Sequence, residues 1–206
     1  MFRDRADAGE RLARGLNRYA GRADAAVLAV PRGGLPVAEI VARELNLPLD
    51  VVLTKKIGHP EDPESAMGAV SLTGVAMRPP SGVPPGYIEA EIARLRAVLR
   101  KRDKMYRGGR PAVEIAGRTV ILVDDGAATG MTLLSAVELL RQDGVRRVVI
   151  AVPVASRAAL EALKERCDEF VCLGEAGDLM SVSDSYRDFA QVTDEQAVSI
   201  LRAARS

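Results

Sequence analysis

The sequence predicts an α/β fold, a parallel sheet flanked by helices with a flexible loop or hairpin and a small hood added to it. Strand-like and helix-like segments alternate along most of the chain, which is the pattern of strands joined by helical crossovers. The strand candidates are runs of aliphatic residues that read as buried. Three polar or glycine-rich loops follow the carboxyl ends of such strands, where open α/β sheets take their ligands. The chain has 206 residues, 48% of them hydrophobic, enough for one domain with a full core. Residues 1–206 are therefore expected to form a single domain.

Residues 10–19 open the chain with Leu12, Leu16 and Tyr19 at spacings that share one helical face, as in a covering helix. Residues 25–30 read as the first core strand. They lead into Pro31-Arg32-Gly33-Gly34-Leu35-Pro36 and a helix to about Leu45. The glycine pair permits close approach of backbone to a ligand. Residues 49–54 read as the second strand and deliver Lys55 and Lys56 to the same edge of the sheet. The sequence leaves open which lysine turns inward.

Residues 57–85 are rich in Gly and Pro, with hairpin strands expected at 67–72 and 74–78 across Thr73-Gly74. Long connections of this kind are often lids. His59, the single histidine, starts this segment, either as an exposed loop residue or as a contact of the reacting centre. Ile88, Ile92, Leu95 and Leu99 form the apolar stripe of an amphipathic helix, and residues 106–111 read as a basic loop. Residues 119–123 are a buried strand and residues 133–140 an amphipathic helix. Further on come a strand at 147–152, a helix from about Ser156 to Glu165 and a strand at 170–173. Residues 174–191 are polar and irregular, the expected hood. Tyr186 and Phe189 there serve equally well as a stacking platform or as anchors to the core. Thr193 and Gln196 have the spacing of a helix capping box.

Lys and Arg number 29 against 28 acids, so net charge points neither to nucleic acid nor to an anionic membrane. The charged N-terminus and the absence of a long apolar run argue for a cytoplasmic protein. Cys167 and Cys172 lack the spacing of a metal or redox motif and read as buried thiols.

The chemistry concentrates in Asp124-Asp125-Gly126-Ala127-Ala128-Thr129-Gly130-Met131-Thr132. Two carboxylates close a strand, and small residues then expose backbone N–H groups at a helix N-terminus, which suits phosphate. The carboxylates, which only accept hydrogen bonds, suit hydroxyls. Phosphate and vicinal hydroxyls a few ångströms apart describe a ribose 5-phosphate. Other phosphate loops fit worse, since neither Gly-x-x-x-x-Gly-Lys-Ser/Thr nor Gly-x-Gly-x-x-Gly occurs at this turn.

Residues 120–132, Val-Ile-Leu-Val-Asp-Asp-Gly-Ala-Ala-Thr-Gly-Met-Thr, resemble the 5-phosphoribosyl-1-pyrophosphate (PRPP) motif of type I phosphoribosyltransferases. The resemblance implies transfer of the phosphoribosyl group of PRPP to a nitrogenous base or amine, with release of pyrophosphate. It assigns Asp124 and Asp125 to the ribose hydroxyls, and Gly126, Ala127, Ala128, Thr129, Gly130 and Thr132 to the 5-phosphate. Pro31 to Gly34 is similar to the family's pyrophosphate loop, which gives Arg32, Gly33, Gly34 and Lys55 or Lys56 to the leaving group. Mg²⁺ would be held mainly by PRPP and water, with Asp124 or Asp125 reaching it through water. Ala128 stands where hypoxanthine-guanine enzymes carry an acid, which tells against 6-oxopurines and leaves the acceptor open. A PRPP-binding regulator without catalysis is the competing expectation, and the family suggests a homodimer.

Overall fold

A computed structural model describes residues 1–62, 65–77, 82–84, 86–176 and 181–204. The helices are α1 (Arg5–Gly15), α2 (Gly34–Leu45), α3 (Tyr87–Arg107), α4 (Met131–Gln142), α5 (Arg157–Lys164) and α6 (Asp194–Ala203). Strands β1 (Ala25–Ala29), β2 (Leu49–Val51), β6 (Thr119–Val123), β7 (Arg147–Ser156) and β8 (Glu169–Ala176) form a parallel sheet in the order β2-β1-β6-β7-β8. Strands β3 (Lys55–Gly58), β4 (Ala66–Val70) and β5 (Val75–Met77) form a separate antiparallel sheet. Among the described residues no helix is long and apolar enough to cross a membrane.

The aliphatic runs are strands because both of their faces are covered. Along β1 and β6, Val27, Ala29, Ile121 and Val123 pack toward α1, α2, α3 and α6, while Leu28, Val120 and Leu122 pack toward α4 and α5. Every residue of β1 and β6 is buried. A period-two alternation of polar and apolar residues is therefore absent from the sequence even though the faces alternate in space. Register fixes the functional end of the sheet. Ala29 lies opposite Val123, so the chain leaves β1 and β6 at the same level and both following turns meet there.

Several boundaries differ from the sequence reading. Helix α1 begins at Arg5, because the Asp4 side chain accepts the Asp7 N–H and caps it, and residues 17–19 continue as a 3-10 turn. The second strand ends at Val51, not at residue 54. Lys55 and Lys56 begin β3, whose backbone partners are in β4 rather than in the main sheet. The expected hairpin is present as β4 and β5; Arg78, at the end of its second arm, and Pro85 lie outside the described residues. Residues 106 and 107 belong to α3, not to a basic loop. Tyr106 is buried with its hydroxyl on Asp194, and Gly108 ends the helix in the left-handed conformation at φ 61°. The Thr193–Gln196 capping box is formed as expected.

Arg107 explains why α3 runs so far. Its Nε meets the Asp50 carboxylate at 3.1 and 3.2 Å and its NH2 donates to the Val51 carbonyl, so the helix end is clamped to β2. Asp50 also accepts the N–H groups of Val51 and Val113. Both side chains are more than nine-tenths shielded from solvent. Losing one partner of such a pair strands the other charge, at a cost of about 3 kcal/mol or more. Arg107→Met is therefore expected to lower unfolding free energy by about 3 kcal/mol in urea titration; a loss below about 1 kcal/mol would show that the clamp contributes little.

Candidate functional site

The loop after β1 and the loop after β6 are packed together through glycine. A Cβ on Gly33 would lie 2.2 Å from Oδ2 of Asp125. One on Gly34 would lie 2.8 Å from the Val123 carbonyl oxygen and 2.9 Å from Cα of Asp124. Gly33 has φ −59°, an ordinary helical value, so proximity to the carboxylate rather than backbone freedom demands glycine there. The loops are tied further by Val30 N–H to the Val123 carbonyl at 2.8 Å. Thus the two sequence segments expected to meet one ligand are in contact, and within the first of them the Pro31–Arg32 peptide is cis.

The turn after Asp125 is fixed by β7. Ala127 donates to the Val154 carbonyl and accepts from the Ser156 N–H, while the Ser156 hydroxyl donates to the Ala128 carbonyl at 2.7 Å. That hydroxyl also accepts the Ala159 N–H as the cap of α5, so one side chain joins the turn to the next helix. Gly130 sits at φ 70°, a conformation suited to glycine, and hands the chain to α4 with no side-chain cap. The first N–H groups of α4 thereby remain directed at the turn, an arrangement that accepts an anion. Thr129 Oγ1 accepts the Met131 N–H at 3.4 Å, and Thr132 is exposed on the first turn.

Asp124 and Asp125 are partly accessible residues with deeply set carboxyl groups. Desolvation, then the neighbouring Asp125 charge, pushes Asp124 well above the usual carboxylate range. Desolvation also raises Asp125, but the Arg5 guanidinium opposes it. Arg5 donates from Nε to Asp125 Oδ2 at 2.9 Å, and its NH2 lies 2.8 Å from the same oxygen. The Asp124 Oδ1 accepts the Asp125 N–H at 2.9 Å.

The remaining expected residues divide. Arg32 stays half-exposed in its loop, 3.9 Å from Asp194. Lys55 shares the α3-facing side of β3 with buried Ile57, close to Arg94 and Arg102, and burial lowers its pKa. Lys56 is on the opposite side, beside Ala69 and Ala76, which pack on Leu139 of α4. The structure therefore assigns the lysines to the small sheet, not to the end of a central strand. His59 is a partly exposed loop residue whose Nδ1 accepts the Glu61 N–H at 3.2 Å. Cys167 and Cys172 are half-buried free thiols, and desolvation raises both.

Of the two readings of Tyr186 and Phe189, the anchoring one describes the observed contacts. Tyr186 is buried against Phe2 and Phe189, with ring centroids 5.4 and 4.9 Å away, and its hydroxyl donates to the Asp125 carbonyl at 2.6 Å. A Cβ on Gly126 would fall 2.5 Å from Val182 of the same segment. Sequence reasoning missed Arg5, since 120 residues separate it from Asp125 and no local pattern joins them. Among the described residues no three His, Cys, Asp or Glu side chains form a metal cluster. The acidic pair beside a phosphate-type turn nevertheless suits Mg²⁺, which commonly uses one or two carboxylates together with substrate phosphates and water.

Residues 3–176 match the model of the phosphoribosyl transferase domain family. A Mycobacterium tuberculosis protein whose name assigns it provisionally to the phosphoribosyl transferases is 38% identical over 211 residues, covering 99% of this chain and 47% of its own length. The chain thus spans about half the length of the curated relatives it matches most fully. An orotate phosphoribosyltransferase of Methanopyrus kandleri is 41% identical over 92 residues, 43% of this chain and 50% of that protein. The crystal structure of TT1426 from Thermus thermophilus superposes with a TM-score of 0.87 at 47% identity, covering 97% of each chain.

Gly33→Ala should drive its new methyl into Asp125 Oδ2 without altering helix geometry. We expect the folded variant to keep its far-UV circular dichroism and to lose at least about tenfold in affinity for a ribose 5-phosphate ligand, measured by titration calorimetry. Unchanged affinity would separate the Gly33 contact from ligand binding.

Proposed function

The chain belongs to the phosphoribosyl transferase domain family, and from that premise we propose that it transfers the 5-phosphoribosyl group of PRPP to a nitrogenous base or amine. The observation that carries this reading is the direct packing of Gly33 and Gly34 on Asp124 and Asp125. This packing supports giving the diphosphate to the first loop and the ribose to the acidic pair beside it, with a helix start suited to phosphate a few residues further on.

In this reading the Asp124 and Asp125 carboxylates accept hydrogen bonds from the ribose 2- and 3-hydroxyls. The backbone N–H groups of Gly126, Ala128, Thr129 and Gly130, with the Thr129 and Thr132 hydroxyls, hold the 5-phosphate; the Ala127 N–H, expected there from the sequence, is instead bonded to the Val154 carbonyl. The C1–O bond to pyrophosphate breaks, the oxygen keeping the electron pair, and the acceptor nitrogen forms the C1–N bond and gives up its proton. Arg32 and the Gly33 N–H stabilise charge growing on the departing pyrophosphate, while the Gly34 N–H is taken by the Val30 carbonyl and Gly34 serves by its small size. Lys55 or Lys56, both on β3 of the small sheet, is the residue to add positive charge beside the diphosphate. Mg²⁺, when bound, neutralises diphosphate charge; Asp124 and Asp125 are the residues to orient its water ligands.

Orotate leads the acceptor panel, because the M. kandleri enzyme bears that name and Ala128 supplies no acid for a 6-oxopurine. The test is pyrophosphate release from PRPP and Mg²⁺ with orotate, adenine, other bases and small amines. Release with one acceptor establishes the transferase; PRPP binding with silence across the panel favours the regulatory alternative. Replacing Asp124 and Asp125 together by Asn should weaken PRPP at least about tenfold, or ~1.4 kcal/mol, in equilibrium titration. Wild-type affinity in the double variant would contradict the ribose assignment.

A further inference from the structure

We propose that Arg5 is a positioning residue for PRPP, holding Asp125 in the orientation that receives the ribose and coupling that orientation to the segment 185–190. This inference rests on the ribose assignment given to Asp125 above.

The Arg5 side chain is only 11% exposed, although it begins the first helix of the chain. Both of its contacts with Asp125 fall on Oδ2, the same oxygen that lies against Gly33. Carboxylate rotation is therefore opposed from two sides, by a charged donor and by the backbone of the diphosphate loop. The guanidinium is in turn fixed from behind. Its carbon stacks 3.8 Å from the Phe189 ring centroid, and NH1 donates to the Ala190 carbonyl at 2.8 Å. An arginine that merely neutralised a buried charge would not need this second set of contacts.

The arrangement also links three segments far apart in sequence. Phe2 donates its N–H to the Ser185 carbonyl, Arg187 donates to Phe2, and Asp188 donates to Arg3, so residues 2–3 run beside residues 185–188. Tyr186 from this paired segment donates to the Asp125 carbonyl. Asp125 is thus held at its side chain by Arg5 and at its backbone by Tyr186, both carried on one paired unit. A ligand that aligns the Asp125 carboxylate stabilises the docked unit, and a docked unit aligns the carboxylate. The guanidinium geometry matters here, because a planar fork can bond one oxygen, stack on a ring and reach a carbonyl at once.

A double-mutant cycle on PRPP affinity tests the proposal, with thermal melts on every protein. Arg5→Gln should weaken PRPP about tenfold, as should Asp125→Asn, and the double variant should be no weaker than Asp125→Asn alone. Arg5→Lys, retaining charge but not the fork, should fall between Arg5→Gln and the wild type. Phe189→Leu, which removes the ring that stacks on Arg5 and packs on Tyr186 while keeping the Asp125 side chain itself, should shift affinity in the same direction by a smaller factor. Additive losses near a hundredfold in the double variant would overturn coupling through Asp125. Tighter PRPP binding by Arg5→Gln would also overturn it, and would make Arg5 a competitor for the ribose carboxylate. Failure of the wild-type protein itself to bind PRPP would instead defeat the ribose assignment beneath the proposal.

Discussion

The contact on which the site depends is that of Gly33 and Gly34 with the Asp124-Asp125 pair. It exists because β1 and β6 are adjacent parallel strands in a register that ends them together. Two turns leaving the same edge at the same level must share the space above it. With any larger residue at position 33, the new atom and a carboxylate oxygen would need the same place. The sheet core supplies the rigidity behind this arrangement, since every residue of both strands is buried between helical layers.

Around that contact the charges balance through geometry more than through number. Two neighbouring carboxyls set deep at a strand end resist ionising together, and desolvation raises both. Arg5 offsets this at Asp125, while Asp124 turns an oxygen to a backbone N–H. A second buried arginine, Arg107, performs a separate task at the β2 edge of the sheet, where it clamps α3 to that strand. The chain's near-zero net charge conceals these local pairings.

What could be read from sequence follows from how local its cause is. The strand and turn at 119–132, the hairpin after Met67 and the Thr193 cap are each specified by a few consecutive residues and are present; the glycine turn expected at 31–36 covers only residues 31–33, because Gly34, Leu35 and Pro36 already form the first turn of α2. Family membership was legible in residues 120–132 for the same reason. The end of the second strand was not, because Lys55 and Ile57 extend equally well in either sheet, and pairing with β4 decides between them. Nor were Arg5, Arg107 and Tyr186 as site and clamp residues, since their partners lie 57 to 120 positions away. An arginine or tyrosine carries no local mark of a partner that tertiary packing supplies.

The most direct test of the central claim is a crystal structure of the protein with PRPP and Mg²⁺. The expected density has the ribose hydroxyls on Asp124 and Asp125, the 5-phosphate on the N–H groups of Gly126, Ala128, Thr129 and Gly130, and the diphosphate over Arg32, Gly33 and Gly34. Density for PRPP elsewhere, with the Gly33–Asp125 contact unchanged and unliganded, would contradict it.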